Sequence, residues 1–263
     1  MSKIDPTARV EDGAVIGEGT EIGPFCIIGR NARIGTNCKL IGQVTVIGHT
    51  SIGDGCVISP FAVLGGAPQD LSYKGEPTTL DIGSGNTIRE GATMNVGTVK
   101  GGGKTRVGND GYFMNNSHVG HDCVVGNNAI FATSATLGGH CEIGDAVYIG
   151  GLSAVHQFTR IGNYVMVGGL SGVRDDIIPY GLANGQYAVL ESLNLIGMKR
   201  RKFTKQRLVT VRAFYQKLFH GPGTFAERLE SVLPLASEDP AIAEILGFIG
   251  KGKRPLCLPT IEK

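Results

Sequence analysis

The stretch "EIGPFCIIGRNARIGTNCKLIGQVTVIG" (residues 21–48) places an aliphatic residue at every sixth position: Ile22, Ile28, Ile34, Leu40 and Val46. Followed outward, the same phase runs from Ile4 to Leu64, breaks across 66–81, and returns at Ile82, Ile88 and Met94. It breaks again around "VKGGGKTR" (99–106) and then continues from Val107 to Val173. A period of six matches neither the 3.6 of a helix nor the 2 of a simple strand. It fits a triangular parallel β-solenoid with one short strand per hexapeptide and three per coil. The aliphatic residue points inward. The residue two before it is small (Ala8, Ala14, Thr20, Ala32, Ala129, Ala135) and suits a crowded corner, while a following Gly permits the tight turn. Residues eighteen apart then stack at the spacing of neighbouring strands, roughly 4.8 Å.

This pattern accounts for the composition. Gly contributes 41 of 263 residues, aromatics are 6% and Trp is absent, so the core must be thin and repetitive. Five of the six cysteines (Cys26, Cys38, Cys56, Cys123 and Cys141) occupy the small corner position, which reads as reduced interior filler and not as a disulfide framework or zinc site. The formal charge of +2 makes no general case for nucleic acid or a membrane surface. No charged leader followed by an apolar stretch and no membrane-length apolar run is visible. A cytoplasmic protein with no integral membrane segment is expected.

The hexapeptide register ends at "VRDDIIPYG" (173–181), dividing the chain into a solenoid over 1–179 and a small helical domain over 180–263. Three helices are predicted there. "FTKQRLVTVRAFYQKLFHG" (203–221) has Thr204 as N-cap and Gly221 as stop; "TFAERLESVLPLA" (224–236) has Thr224 as cap; "EDPAIAEILGFIGKG" (238–252) has Asp239 as cap with Pro240 at the first helical position. The basic run "KRRKFTKQR" (199–207) is either a solvated face or a site for phosphates or an acidic partner.

The chemistry concentrates in "NNSHVGHDCVVG" (115–126). The eighteen-residue coil sets Gly139 and Gln157 in a column above His121, and His140 and Phe158 above Asp122. His156 falls beside Gln157, and His118 is close by. Four of the six histidines thus share one side, and a residue without a side chain sits over His121, leaving room for substrate and exposing backbone N–H groups. Three readings are open: surface histidines, a three-histidine zinc site of the kind found in hexapeptide-repeat carbonic anhydrases, or His121 as a general base oriented by an acidic or backbone acceptor. "GGGKT" (101–105) is not a phosphate-binding loop, because Thr98 stands where the first Gly is required.

The segments "GAPQDLSYKGEPT" (66–78), "IREGATMNVGT" (88–98), "NSHVGHDCVVGN" (116–127), "GGLSAVHQFTRIG" (150–162), "VMVGGLSGV" (165–173) and "LNLIGMKRRKF" (193–203) together resemble the UDP-N-acetylglucosamine O-acyltransferase family of lipid A biosynthesis. The resemblance implies a left-handed parallel β-helix with a C-terminal α-helical domain. It also implies a homotrimer with active sites between neighbouring solenoids, acyl carrier protein as acyl donor, a UDP-aminosugar as acceptor, and no metal or cofactor. His121 falls on the family's catalytic base, Asp122 on its adjacent acid and Gly139 on the oxyanion-hole glycine. Asp70, His118, His140, His156 and Gln157 match substrate-pocket positions, and Asn194, Arg200 and Arg201 match nucleotide positions. Gly169 and Tyr187 match the acyl-chain groove.

Three positions depart from the family pattern. Asn95 stands in place of a histidine, Ser72 in place of a lysine, and Ile196 in place of a carboxylate. An amide oxygen at Asn95 would accept from an amine. The physiological acceptor is therefore expected to be either UDP-N-acetylglucosamine or its 3-amino analogue.

Overall fold

The computed structural model describes residues 2–260. The described residues form three sheets of eleven, nine and eight strands, here the first, second and third. Consecutive hexapeptides visit the sheets in turn: Glu142–Ile143 lies in the third, Tyr148–Ile149 in the first and Ala154–Val155 in the second. Each pairs in parallel with the strand eighteen residues on, as in Glu142↔Arg160, Tyr148↔Met166 and Ala154↔Gly172. This is the expected parallel β-helix.

The two-residue strands follow from alternation. In Glu21–Ile22, Arg33–Ile34 and Lys39–Leu40 the first residue is exposed and the second buried. Ile28, Ile58, Leu64, Ile88, Phe113 and Phe131 are wholly buried on the axis. Each such side chain contributes about 1.5–3 kcal/mol on leaving water. The corner cysteines are buried and unpaired, as the spacing predicts.

Both breaks in the repeat leave the solenoid at the same corner, between the second and third sheets. One lies between Val63–Gly66 and Thr79–Ile82, the other between Thr93–Asn95 and Lys104–Val107. The next turn at that corner, between His118–Val119 and Val124–Val125, carries His121.

Past Pro179 the first sheet continues. Gly181–Asn184 pairs in parallel with Met166–Val167, and Val189–Leu193 returns antiparallel to it. The domain expected to be helical over 180–263 thus opens with a hairpin ahead of its helices, at Asn184–Gly185, where Gly185 has φ 114°. Helices follow as α1 (Leu195–Arg200), α2 (Lys205–His220), α3 (Phe225–Val232) and α4 (Pro240–Phe248). Thr204 and Asp239 cap α2 and α4, and Thr224 forms a capping box with Glu227. Glu244 of α4 ties the helices to the solenoid, accepting from Tyr180 at 2.5 Å and Asn163 at 2.6 Å. The chain then folds back: Asp176 N–H donates to Pro255, Cys257 N–H to Asp176, and Leu190 N–H to Leu258. Among the described residues no helix is long and apolar enough to cross a membrane.

Candidate active site

His121, Asp122 and their neighbours occupy a turn in which Asp122 has φ 59°. The Asp122 side chain is wholly buried. Its Oδ1 accepts from the Thr98 backbone N–H at 2.7 Å and its Oδ2 from the Thr98 hydroxyl at 2.7 Å. The Asp122 N–H donates to Thr105 Oγ1 at 2.8 Å. The glycine-rich break thus wraps the carboxylate, and an added Cβ at Gly101 would lie 2.0 Å from Asp122 Cγ. Bulk is excluded at Gly101, while Gly102 and Gly103 adopt φ of 94° and 79°, the left-handed region that favours glycine.

His121 Nδ1 lies 2.8 Å from Asp122 Oδ2. A carboxylate only accepts, so Nδ1 carries the ring proton and Nε2 keeps its lone pair. The His121 ring is 12% exposed and lies over Gly139, where an added Cβ would be 2.6 Å from its Cε1. Gly139 is buried, yet neither its N–H nor that of His121 has a partner among the described residues. A buried, unpaired N–H beside a base is a preorganised donor for an oxyanion.

His140 stands edge-on to His121 with centroids 5.0 Å apart, and its Nε2 is 3.8 Å from Asp122 Oδ2. Phe158 stacks on its other face at 4.5 Å. Burial pushes the His140 pKa below the ordinary histidine value, against the pull of Asp122. His118, whose Nδ1 is 2.8 Å from Thr93 Oγ1, is likewise pushed down, by burial first and then by His121. Asp70 is held below the usual carboxylate range by hydrogen bonds from Ser72 and, more weakly, by His121 and Lys100.

A cleft of about 370 Å³ brings together His118, His121, Gly139, His156, Gln157 and Asn95. Asn95 Nδ2 donates to Ala67 at 3.0 Å and Gly66 at 3.3 Å, while its Oδ1 is buried with no partner among the described residues. Asp70 and His140 line an adjoining cleft on the far side of Asp122. Asn194, Arg200 and Arg201 are elsewhere, in a hollow of about 820 Å³ over the first sheet. There the Asn194 side chain caps α1 and donates to Tyr164, and Arg201 covers the Tyr164 ring at 4.5 Å. The two cavities share no lining residue. Gly169 is exposed at the corner between the first and second sheets, and Tyr187 is 72% exposed in the terminal hairpin.

The metal reading fits poorly. His121, Asp122 and His140 present ligand atoms within 4.8 Å, but that is two histidines and a carboxylate whose oxygens already serve Thr98 and His121. Sequence reasoning missed Thr98, Thr105 and Gln69 of the cleft rim, because all three lie in or beside the breaks where the period gives no register.

The parallel β-helix of hexapeptide repeats, with the His121–Asp122 pair at its corner cleft, places the chain among the hexapeptide-repeat transferases. Residues 31–66 match the family model of bacterial transferase hexapeptide repeats, and residues 176–257 match domain 2 of UDP-N-acetylglucosamine O-acyltransferase. A relative from Azorhizobium caulinodans named acyl-[acyl-carrier-protein]–UDP-N-acetylglucosamine O-acyltransferase is 54% identical, covering 99% of this chain and 96% of its own. One of the same name from Caulobacter vibrioides is 52% identical over 85% and 86%. A crystal structure of UDP-N-acetylglucosamine acyltransferase superposes with TM-score 0.94 at 40% identity over 98% of this chain and 100% of that one. The Campylobacter jejuni enzyme gives 0.92 at 37%, over 97% and 99%. The chain belongs to the UDP-N-acetylglucosamine O-acyltransferase family.

Proposed function

We propose that the protein transfers a 3-hydroxyacyl chain from acyl carrier protein to the 3-hydroxyl of UDP-N-acetylglucosamine, the first step of lipid A biosynthesis. The observation that carries this is the His121 ring, fixed by Asp122 through Nδ1 and packed against Gly139, whose N–H has no partner among the described residues. His121 Nε2 takes the proton of the sugar hydroxyl as its oxygen attacks the thioester carbonyl. The charge that forms on the carbonyl oxygen faces the Gly139 N–H. Collapse expels the carrier thiolate, which recovers the proton from His121. His118, His140, His156, Gln157, Asp70 and Asn95 shape the acceptor end, and the chemistry needs no metal or cofactor. We assign 1–179 to the catalytic β-helix and 180–263 to the C-terminal domain.

Asn194, Arg200 and Arg201, the nucleotide residues of this reading, lie in a hollow over the first sheet, apart from the His121 cleft at the corner between the second and third sheets. A homotrimer resolves this by setting the hollow of one copy against the cleft of the next. The exposed basic residues of 199–207 then face acidic acyl carrier protein, and the enzyme works in the cytoplasm, without nucleic acid or a membrane span. Formation of an amide on the 3-amino sugar is not favoured, because the relatives are named for O-acyl transfer. Zinc-dependent hydration is not favoured for the same reason and by the occupied Asp122 oxygens.

The test offers hydroxy and amino UDP-sugars side by side, each with carrier proteins of several chain lengths. A higher kcat/KM for the hydroxy sugar is expected, and turnover of neither sugar refutes the reading. Glycine at the exposed position 169 adds no side chain there, and we take the donor to be a long chain of around twelve to fourteen carbons, each buried methylene being worth about 0.8 kcal/mol. Gly169→Met should move the optimum to shorter donors; an unchanged profile places the groove's end elsewhere.

A further inference from the structure

The returning C-terminal segment is built onto the active coil with more care than a loose tail requires. Three backbone hydrogen bonds hold it to Asp176 and Leu190, and Cys257 is buried with Sγ donating to Ala188. At Gly252 an added Cβ would lie 1.8 Å from Asp176 Oδ2, so only glycine lets the chain pass the buried Arg160–Asp176 pair. The residues this brings to the site are Lys253 and Arg254. Lys253 Nζ sits 5.1 Å over the Phe158 ring, whose stack on His140 leads to Asp122. Arg254 Nε donates to the Gln157 carbonyl at 3.1 Å, and its terminal nitrogen Nη2 reaches His156 Nδ1.

The second contact fixes a proton. A guanidinium has no acceptor and stays charged, so His156 Nδ1 must supply the lone pair, and the ring proton resides on Nε2. Without Arg254, His156 Nδ1 has another partner at hand, the Gln157 carbonyl at 3.2 Å, to which it can bond only by donating. That is the opposite tautomer. We infer that Arg254 is a positioning residue of the active site: it sets His156 as an Nε2–H donor to a substrate oxygen in the cleft and ties down the neighbouring Gln157 carbonyl. This rests on the substrate-pocket role of His156 and Gln157 proposed above. Arg254 does not touch the His121–Asp122 pair, so its effect belongs to binding.

The experiment begins on the unaltered protein. A ¹⁵N spectrum of its histidines, with His156 assigned by difference against His156→Gln, should show Nε2 protonated and Nδ1 bare. A protonated Nδ1 overturns the inference without any Arg254 variant having to fold. In Arg254→Gln the His156 signals should move toward the other tautomer. KM for the UDP-sugar should rise about three- to tenfold, the worth of one neutral hydrogen bond, with kcat nearly unchanged. Combined with His156→Gln, Arg254→Gln should add nothing further to KM; full additivity, or an unshifted spectrum, refutes action through His156. If the acyltransfer reading itself fails, neither protein turns over, yet the tautomer measurement still decides what Arg254 does.

Discussion

At the corner between the third and first sheets, Asp145 Oδ1 accepts from the N–H of Asn127 at 2.7 Å, and Asn163 Oδ1 from the N–H of Asp145 at 2.6 Å. Asn127 Oδ1 in turn accepts from Asn109, and Asn109 Oδ1 from Ser84. At the corner between the second and third sheets the equivalent positions, six residues earlier, hold His121, Gly139 and Gln157. The turn is the same, and Asn128 and Asp122 share nearly the same left-handed conformation, φ 55° and 59°. One corner spends each turn's spare N–H on a short polar side chain from the next coil. The other withholds that side chain, at Gly139 absolutely, and leaves the N–H groups of His121 and Gly139 unpaired. The two turns leave the same spare donor, capped at Asn127 and uncapped at His121 and Gly139. Among the described residues the corner between the first and second sheets leaves Thr133 and Gly151 uncapped as well, so the His121 turn is singled out by its uncapped donor together with the His121–Asp122 pair.

The severest test removes the base from the open corner. His121→Ala should lower kcat by ~10²–10⁴ while leaving the melting temperature and oligomer size within a few percent, because the ring packs only on a glycine and its neighbours. Activity within a few-fold of the parent would end the assignment.

Next comes conversion of the open corner into the capped kind. Gly139→Asp places at 139 the residue found at 145, whose Oδ1 would accept from the His121 N–H. Its Cβ needs the space 2.6 Å from His121 Cε1, so the ring must swing away. Gly139 is not in the left-handed region, so the backbone tolerates the change. A loss of about 10²–10³ in kcat is expected, with melting temperature unchanged or raised. Loss of stability together with activity would show that the two corners are not equivalent.

Thr98→Val probes what the repeat does not supply. It keeps the backbone donor to Asp122 Oδ1 and deletes the hydroxyl donor to Oδ2. A hydrogen bond to a charged group is worth about 1.5–3 kcal/mol, and part of that orients His121, so kcat should fall about tenfold with KM little changed.

These variants follow the line between what the sequence discloses and what it does not. Within unbroken register, translation by eighteen residues places Gly139 on His121 and His140 on Asp122, and the structure agrees to the level of atoms. Across the breaks the spacing changes. His118 pairs with Thr93, twenty-five residues away, and Asp122 meets Thr98 and Thr105 at twenty-four and seventeen. No period encodes those contacts. Nor does it encode the return of Arg254 to His156 across ninety-eight residues, which depends on how α4 docks. The hairpin at 181–193 has only the Asn184–Gly185 turn as its signal in the sequence, with no hexapeptide register on either side to extend it.

The mildest expected effect concerns pH and stability. His118 and His140, both on the open-corner side, have folded-state pKa values below the ordinary value near 6.5, chiefly through burial. The unfolded chain therefore binds more protons than the folded one below that pH. Their contribution is complete above about pH 6.5 and declines as pH falls toward the folded values. The ordinary range of carboxylates lies below the window from about pH 7 to 5, and Asp239, held low by Arg207, lies further below it. The window thus isolates histidines. His118→Gln can keep the bond to Thr93 Oγ1 while removing one titration, so its melting temperature should fall less than the parent's over that range. The difference should be small, about one or two degrees. The capped corner carries no histidine among its ladder residues, so Asn127→Ala should lower the melting temperature by the same amount at both pH values. Equal slopes for parent and His118→Gln would mean that His118 accepts its proton without cost, and that the open corner is wetter than its burial suggests.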